Sequence, residues 1–172
     1  MMAPILKPLF CQQCGAALEA RVPKGDHRER QVCPKCGHIH YLGPKIAAGT
    51  VVEMDKGVVL IQRNVDPRKG FWSFPCGFVE VDETVEAAAI RETREEAGID
   101  VEILSHLGTY SYPQSWHGGT VIVVAFHARA IGGRLAAGDD AIDVKLAERN
   151  KIPWEELAFL STHSALKAWL GR

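Results

Sequence analysis

Hydrophobic residues along this chain fall into short β-branched runs and a few segments with helical spacing. Two of the runs are joined by Asp55-Lys56-Gly57, a polar triplet ending in glycine that is typical of a β-hairpin. The pattern predicts strands at residues 46–54, 58–63, 101–112, 120–130 and 141–146, and helices between Thr84 and Gly98 and at 154–157 and 161–170. Mixed strands with one internal and one C-terminal helix predict an α/β sandwich.

The internal helix has both start and stop signals. Asp82 and Thr84 offer side-chain oxygens at its start, and Glu86 lies in the first turn, where the positive end of the helix dipole favours an acid. Gly98 follows the last helical residues, where a left-handed C-cap is expected. We therefore predict a stable helix between these signals.

One side of this helix is strongly acidic. Glu92, Glu95 and Glu96 fall within a sector about 100° wide at roughly 100° per residue. Only alanines precede them on that side, so we expect no bulky side chain to shield the carboxylates. Such acids repel each other unless a hard divalent cation such as Mg²⁺ coordinates their oxygens. Arg91 is placed to form a fork-shaped pair with Glu83 in the preceding loop. On charge alone, an ordinary solvated helix face is the competing interpretation.

Composition and charge limit the functional classes. The chain has 172 residues, of which 47% are hydrophobic and 24% charged, as in globular proteins. Its net charge of −1 provides no electrostatic basis for binding nucleic acid or a membrane surface. The longest apolar run, at 121–126, is too short to span a bilayer. The N-terminus lacks the pattern of a signal peptide, so we expect a cytoplasmic protein without a membrane partner.

The first forty residues contain two C-x2-C pairs separated by the 18 residues 15–32, which is within the range of a four-cysteine zinc site. The predicted zinc ligands are Cys11, Cys14, Cys33 and Cys36. A glycine follows each pair and permits a tight turn. Two disulfides are the alternative, and a cytosolic location argues against them. A segment with so little core needs a staple to fold, so we predict a structural zinc ion.

The acidic helix and the loop before it match the string G-x5-E-x7-R-E-U-x-E-E-x-G-U, where U is aliphatic. This string resembles the signature of the Nudix hydrolases. The matching residues are Gly77, Glu83, Arg91, Glu92, Glu95, Glu96, Gly98 and Ile99. Thr93 stands where an aliphatic residue is usual, which exchanges a methyl for a hydroxyl on the packing side. Trp72 lies in a segment similar to the family's G-x-W-x-x-P-G-G lead-in, with Cys76 replacing a small residue. We interpret Cys76 as a small buried residue.

The resemblance covers residues 43 to about 170 and implies the Nudix α/β/α sandwich with a mixed sheet, preceded by a small zinc ribbon. We place the ribbon at residues 1–42 and the hydrolase domain at 43–172. The family cleaves nucleoside diphosphates linked to another moiety by attack of water on phosphorus. By resemblance, the ligands of catalytic Mg²⁺ or Mn²⁺ are Glu92, Glu95, Glu96 and the carbonyl of Gly77. Arg91 and Glu83 complete the predicted catalytic group. The general base is either Glu92 or Glu95, or an acid in residues 138–143, where Asp143 resembles the acid often found there.

The substrate must be specified outside the signature. Relatives with an N-terminal zinc ribbon include pyrophosphatases of NADH, ADP-ribose and FAD. Residues 110–116 share only scattered letters with the S-Q-P-W-P-F-P motif of the NADH enzymes, so we favour ADP-ribose or FAD, with release of AMP. Tyr112 and Trp116 are candidates for stacking on the adenine or flavin ring, or for packing on the domain. The alternatives are an NADH pyrophosphatase and a non-catalytic nucleotide-binding or nucleic-acid-binding zinc-ribbon protein. By analogy with the family we also predict a homodimer.

Overall fold

A computed structural model describes residues 7–115 and 119–171, apart from the side chains of residues 114 and 115. The chain divides into two compact units. The first comprises the chain up to Pro44 together with Pro113–Thr120, and the second comprises Lys45–Tyr112 and the chain from Val121 onward.

The first unit contains a small antiparallel sheet of three strands, β1 (Glu19–Arg21), β2 (Arg30–Val32) and β3 (Ile39–His40), in that order. Gly15 and Gly37 each follow a cysteine pair with a positive φ, of 71° and 75°. Their backbone N–H groups donate to the carbonyls of Cys11 and Cys33 at 2.8 and 3.0 Å. These left-handed glycines close the turns that bring the cysteines of each pair together.

The second unit is built on a mixed sheet of seven strands. These are β4 (Lys45–Met54), β5 (Gly57–Arg63), β6 (Trp72–Ser73), β7 (Cys76–Phe78), β8 (Ile99–Ser115), β9 (Gly119–Gly133) and β10 (Ala141–Glu148). The order is β10-β5-β4-β9-β8, with β6 beside β5 and β7 beside β4. β4 is parallel to β9 and antiparallel to β5. The predicted hairpin is confirmed, because Met54 pairs with Gly57. β8 and β9 extend beyond the predicted strands.

Two α-helices accompany the sheet, α1 (Val85–Ala97) and α2 (Leu160–Leu170). Thr84 is the N-cap of α1, since its hydroxyl accepts a hydrogen bond from the N–H of Ala87 at 3.2 Å. Gly98 has φ 72° and is the left-handed C-cap. Both caps were predicted, although Asp82 does not take part. The helix predicted at 154–157 is instead a short 3-10 turn, Trp154–Glu156.

The helices cover opposite faces of the sheet. Neighbouring residues of β4 point to opposite sides, so Val51 packs in one cluster with Trp169 of α2, while Val52 packs in another with Ala97 of α1. Helix, sheet and helix therefore form three layers, and the predicted α/β/α sandwich is confirmed. In the described part of the chain, no helix has both the length and the apolar character needed to cross a membrane.

A buried pair of hydroxyls connects α1 to the sheet. Thr93 is fully buried, and its Oγ1 lies 2.5 Å from Oγ1 of Thr50 on β4. Thr93 also lies 2.6 Å from the carbonyl oxygen of Ala89, to which it donates. The hydroxyl that replaces the usual aliphatic residue thus lies on the packing side as predicted, and it has hydrogen-bond partners there.

Candidate active site

The four predicted zinc ligands lie together in the first unit. The Sγ–Sγ distances are 3.6 Å for Cys11–Cys36, 3.5 Å for Cys14–Cys33 and 3.6 Å for Cys14–Cys36. Four sulfurs arranged tetrahedrally at the usual Zn–S bond length are about 3.8 Å apart. Within the described residues, this is the one group of three or more His, Cys, Asp or Glu side chains whose ligand atoms all lie within 4.8 Å of one another.

The protonation chemistry of this cluster also suits zinc. The backbone N–H of Cys36 is the main cause that lowers the pKa of the Cys33 thiol to about 6. The pKa of the Cys36 thiol is raised instead, because its contacts with the other thiols and its burial outweigh the lowering by the N–H of His38. A thiolate is the form that binds zinc. All five cysteines are free thiols, so the alternative of two disulfides is wrong for this structure. The geometry and the charge of the donor set therefore fit a structural zinc ion.

In the second unit, Glu92 of α1 lies directly against Gly77 of β7. A Cβ added at Gly77 would overlap the carboxylate carbon and both carboxylate oxygens of Glu92. Only glycine leaves this space open, so the sheet and the acidic helix meet at this point. Burial is the main cause that raises the pKa of Glu92, and the neighbouring Glu95 and Glu83 also raise it.

Arg91 forms the predicted fork with Glu83. Its Nη2 and Nε donate to the two carboxylate oxygens at 2.6 and 3.1 Å. Nη2 also donates to the carbonyl of Phe78 at 3.1 Å, which connects the loop to the helix. The remaining terminal nitrogen, Nη1, contacts Glu92 at 2.7 Å and Glu95 at 2.8 Å. The hydrogen bonds from Arg91 lower the pKa of Glu83. Arg91 therefore orients two of the three predicted metal-binding glutamates.

Glu96 differs from its neighbours because it is only 5% exposed. Its carboxylate accepts a hydrogen bond from the backbone N–H of Cys76 at 2.8 Å. Its pKa is raised to about 8, mainly by burial and also by the charges of Glu92 and Asp140. The expectation that nothing shields the three carboxylates is thus wrong for Glu96, because strand β7 lies over it.

Cys76 itself is partly buried and packs against the cluster on the α2 side of the sheet. Burial is the main cause that raises the pKa of its thiol. Both observations agree with the interpretation of Cys76 as a packing residue.

The predicted loop acid Asp143 is part of strand β10. It pairs with Gln62, next to a register shift between Ala141 and Asp143, and its carboxylate accepts from the N–H of Val144 at 2.8 Å. Val144 packs with the α1-side cluster, so strand alternation directs Asp143 toward the other face of the sheet. The acid of this segment whose charge acts on Glu96 is Asp140.

Backbone hydrogen bonds fix the segment that carries Asp140. The N–H of Asn64 donates to its carbonyl at 2.7 Å, and Gly138 donates to the carbonyl of Glu96 at 3.3 Å. Gly138 has no room for a side chain, because a Cβ would overlap the carbonyl oxygen of Glu95. Residues 138–141 therefore lie beside the C-terminal turn of α1. Within this segment Asp140 is the acid whose charge acts on Glu96, and the assignment of Asp143 as general base stays a prediction.

The two predicted substrate-binding aromatics have different outcomes. Tyr112 is partly buried and packs against the α2-side cluster, which agrees with the alternative that it packs on the domain. Trp116 lies outside the described residues. Arg63, at the end of β5, was not among the predicted site residues. Burial lowers the pKa of its guanidinium, and Glu96 is near enough to oppose that shift. A basic residue at a strand end carries no distinctive sequence signal.

The three glutamates do not form a closed cage. Glu92 and Glu95 share Arg91 as a partner, and Glu96 is directed toward β7. Such an open set suits Mg²⁺ or Mn²⁺ better than a calcium cage, because Mg²⁺ keeps several waters and binds one or two carboxylates together with substrate phosphates. Burial is the main cause that raises the pKa values of Glu92 and Glu96, and neighbouring acids raise them as well, so a bound divalent cation would favour their charged forms. The residues present therefore fit a hard divalent cation.

Comparison with family models decides the class of the protein. The model described as "NUDIX domain" matches residues 43–170, and the zinc-ribbon model described as "Nudix N-terminal" matches residues 9–42. The chain belongs to the Nudix family. Like other Nudix hydrolases it uses Mg²⁺ or Mn²⁺, and its ribbon carries structural zinc.

Individual Nudix relatives extend this result. The chain is 43% identical over 119 residues to an ADP-ribose pyrophosphatase from Methanocaldococcus jannaschii. The aligned residues make up 69% of this chain and 69% of that protein. It is 33% identical over 135 residues to the NAD-capped RNA hydrolase NudC from Pseudomonas aeruginosa, covering 78% of this chain but 45% of that protein. A crystal structure of a NUDIX hydrolase from Nitrosomonas europaea superposes with a TM-score of 0.87 at 37% identity, covering 96% of this chain and 91% of that one.

Proposed function

We propose that this Nudix protein hydrolyses the pyrophosphate bond of ADP-ribose, or of FAD, and releases AMP. The observation that carries the proposal is the acidic helix packed on Gly77, in a chain 43% identical over 119 residues to an ADP-ribose pyrophosphatase. All the acidic residues of the signature are present on α1. This argues against a nucleotide sensor that has lost catalysis, since a protein that only binds nucleotides has no need of a complete metal site.

The metal-binding group of the proposal consists of Glu92, Glu95, Glu96 and the carbonyl of Gly77. Bound Mg²⁺ or Mn²⁺ supplies positive charge at the phosphoryl oxygens and makes water more acidic. Glu92 is positioned by its contact with Gly77 and by Arg91, which also binds Glu95. Glu96 is positioned by the N–H of Cys76. Arg91 thus acts as a positioning residue, with Glu83 fixing its guanidinium.

The reaction adds water across the anhydride. A water oxygen bonds to one phosphorus, the bridging P–O bond breaks, and the proton lost by the water goes to a carboxylate. With ADP-ribose the products are AMP and ribose 5-phosphate. The fold contributes by holding the carboxylates of α1 in fixed positions relative to one another.

The base that accepts the proton is an acid of α1, Glu92 or Glu95, or an acid of residues 138–143. The position of Asp140 beside Glu96 supports Asp140 over Asp143 within the second group. The pH–rate profile distinguishes these hypotheses, because loss of the base removes the acidic limb of kcat. We would compare the E92Q, E95Q, D140N and D143N variants.

The function is tested by incubating the protein with Mg²⁺ and either ADP-ribose, FAD or NADH, and separating the products by chromatography. AMP from ADP-ribose or FAD is the expected result. The E95Q and E96Q variants should each lower kcat about 100-fold or more. E96Q retains an acceptor for the N–H of Cys76, so its circular dichroism spectrum should match that of the wild type.

The matched control is E86Q, which makes the same change in the exposed first turn of α1. It should leave kcat within about twofold. Near wild-type rates for both E95Q and E96Q would remove α1 from the mechanism. Cleavage of NADH in preference to ADP-ribose and FAD would favour the NADH pyrophosphatase alternative, for which the identity of 33% to NudC is the supporting observation.

The proposal extends to domain organisation, location and assembly. It assigns residues 1–42 to the zinc ribbon and 43–172 to the hydrolase domain, and places the protein in the cytoplasm as a homodimer. A zinc site built from four reduced cysteines supports a reducing compartment. Light scattering coupled to size-exclusion chromatography tests the homodimer, which predicts twice the 18.9 kDa mass of one chain.

A further inference from the structure

Thr50 of β4 contacts two segments of the chain that border the carboxylates of α1. It is fully buried. Its backbone N–H donates to the carbonyl of Pro75 at 3.1 Å, and its hydroxyl oxygen lies 2.5 Å from that of Thr93 on α1. The backbone of Thr50 therefore binds the segment that leads into β7, while its side chain binds the acidic helix.

The hydrogen bond between the two hydroxyls has a defined direction. A threonine hydroxyl carries a single hydrogen, and Thr93 donates its hydrogen to the carbonyl of Ala89 at 2.6 Å. Thr50 must therefore be the donor to Oγ1 of Thr93. The hydroxyl of Thr50 is thus connected through Thr93 to the backbone of α1.

The peptide bond between Pro75 and Cys76 lies between β4 and Glu96. Its carbonyl accepts from the N–H of Thr50, and its N–H donates to Oε2 of Glu96 at 2.8 Å. The carbonyl and N–H of a trans peptide point in opposite directions within one rigid plane. The strand therefore holds one end of this plane, and the other end holds Glu96. Gly49 permits the close approach, since a Cβ there would overlap the Pro75 carbonyl oxygen.

These contacts close a ring of hydrogen bonds. From Thr50 the ring passes through the Pro75–Cys76 peptide to Glu96, along α1 to Thr93, and back across the hydroxyl pair. Thr93 and Glu96 are three residues apart and so are neighbours on the helix surface. All three side chains of the ring are buried, where hydrogen bonds are stronger than in water. The ring therefore fixes Glu96 relative to β4 from two directions.

The second carboxylate oxygen of Glu96 is open. Oε2 is bound by the N–H of Cys76, and Oε1 has no hydrogen-bond partner among the described residues. No buried side-chain oxygen in that part of the chain lacks a partner, so Oε1 must be accessible to solvent. The ring thus leaves one oxygen of a nearly buried carboxylate free to bind a cation.

We propose that Thr50 is a positioning residue for Glu96, because its hydroxyl fixes α1 along β4 and so sets where Oε1 meets the divalent cation. The proposal deepens the proposed function, and it rests on that function for the assignment of Glu96 as a metal ligand. In the competing interpretation, the hydroxyl pair only adds to the packing of the helix on the sheet.

The test measures Mn²⁺ binding to the zinc-loaded full chain by electron paramagnetic resonance of free Mn²⁺, without substrate. T50V keeps the shape of the side chain and removes the hydroxyl. We expect its Mn²⁺ dissociation constant to rise about 3- to 10-fold, the effect of one lost hydrogen bond. T50S keeps the donor and should bind Mn²⁺ within about twofold of the wild type.

Two further variants separate position from stability, which is measured by thermal unfolding. Val52 lies on the same face of β4 and packs in the cluster that contains Ala97 of α1, outside the ring. V52A should therefore be less stable than the wild type but bind Mn²⁺ within about twofold. T50V/T93V leaves neither hydroxyl buried without its partner, yet it lacks the bond across the ring. It should bind Mn²⁺ as weakly as T50V.

Four results would overturn the proposal. T50V could bind Mn²⁺ as tightly as the wild type, or V52A could weaken binding as much as T50V, which would mean that any loosening of α1 has this effect. T50V/T93V could regain the wild-type affinity, which would assign the loss in T50V to an unpaired hydroxyl. Finally, E96Q could keep the wild-type affinity, which would remove Glu96 from the metal site.

The outcome is separable from the proposed function. If the wild type bound Mn²⁺ but left ADP-ribose and FAD intact, the proposed activity would be refuted, while the Mn²⁺ affinities of T50V and V52A would still decide the role of Thr50. If the wild type cleaved ADP-ribose and T50V kept the wild-type Mn²⁺ affinity, the activity would stand and the positioning role would be wrong.

Discussion

Replacing Gly77 with alanine tests the junction between the sheet and the acidic helix. Gly77 lies in strand β7 without a positive φ, so its backbone accepts alanine. The added Cβ would occupy the space of the Glu92 carboxylate. Alanine keeps the backbone carbonyl, so the substitution acts through the position of Glu92.

The size of the effect follows from this overlap. Ordinary contact between carbon atoms requires about 3.5–4.0 Å, so the carboxylate must move by more than about 1 Å. A displacement of that size at a catalytic group costs roughly 100-fold in rate. The group that moves is the end of a flexible side chain, so stability should fall by less than about 1 kcal/mol. G77A is therefore expected to lose activity while remaining folded.

The assay compares kcat on ADP-ribose with the thermal unfolding midpoint for G77A and G49A. Gly49 of β4 also has no room for a Cβ, but there the overlap is with the backbone of Pro75 and Cys76. Overpacking of this kind costs about 1–3 kcal/mol, or roughly 2–12 °C in midpoint for a chain of this size. G49A should therefore lose stability, in contrast to G77A.

Two results would refute this reasoning. One is a G77A enzyme with the kcat of the wild type, which would mean that the position of Glu92 does not matter. The other is a G77A enzyme as destabilised as G49A, which would mean that Gly77 is needed for packing and not for the site.

Three further predictions concern the contact of α1 with β4, the buried carboxyl of Glu96 and the zinc ribbon. T93V leaves the hydroxyl of Thr50 buried without its partner and should cost about 1–3 kcal/mol in chemical denaturation, most of which T50V/T93V recovers. Burial raises the pKa of Glu96 from 4.5 to about 8. Between these two pH values, in magnesium-free buffer, the carboxyl of Glu96 is protonated in the folded chain and ionised in the unfolded chain. Stability should therefore fall as pH rises from 4.5 to 8, by at most about 1.4 kcal/mol per pH unit, and E96Q should lack this slope. Colorimetric assay should find one zinc ion per chain, and C33S should make the ribbon sensitive to limited proteolysis.

Each of these predictions has an opposite outcome that would contradict it. Equal stability of T93V and the wild type would mean that the hydroxyl pair contributes nothing. Identical pH slopes for the wild type and E96Q would assign the proton to another group. A ribbon that resists proteolysis after loss of its metal would show that it folds without zinc.

Much of the acidic helix was predictable because its determinants are local. Thr84 and Gly98 cap it from adjacent positions, and the spacing of Arg91 and Glu83 brings them together once the helix forms. The four-cysteine cluster was predictable for a similar reason, since each C-x2-C pair closes on its own turn. In these cases a short stretch of chain determines the geometry.

What sequence analysis missed depends on contacts between distant segments. The face on which Asp143 lies is set by a register shift in β10, which leaves no mark in the hydrophobic pattern. The burial of Glu96 requires strand β7 to pass over α1. The position of Arg63 requires the loops at 64–70 and 138–141 to meet beside that helix. Only the folded chain brings these groups together.

The hydroxyl pair of Thr50 and Thr93 also bears on how this branch of the family has changed over time. Thr50 without Thr93 is a liability in a dry interior, whereas Thr93 also donates to the carbonyl of Ala89. A lineage can therefore replace Thr93 with an aliphatic residue only if β4 changes beforehand or at nearly the same time. We expect related genes to have inherited the two positions jointly, so that this departure from the signature marks a shared ancestor.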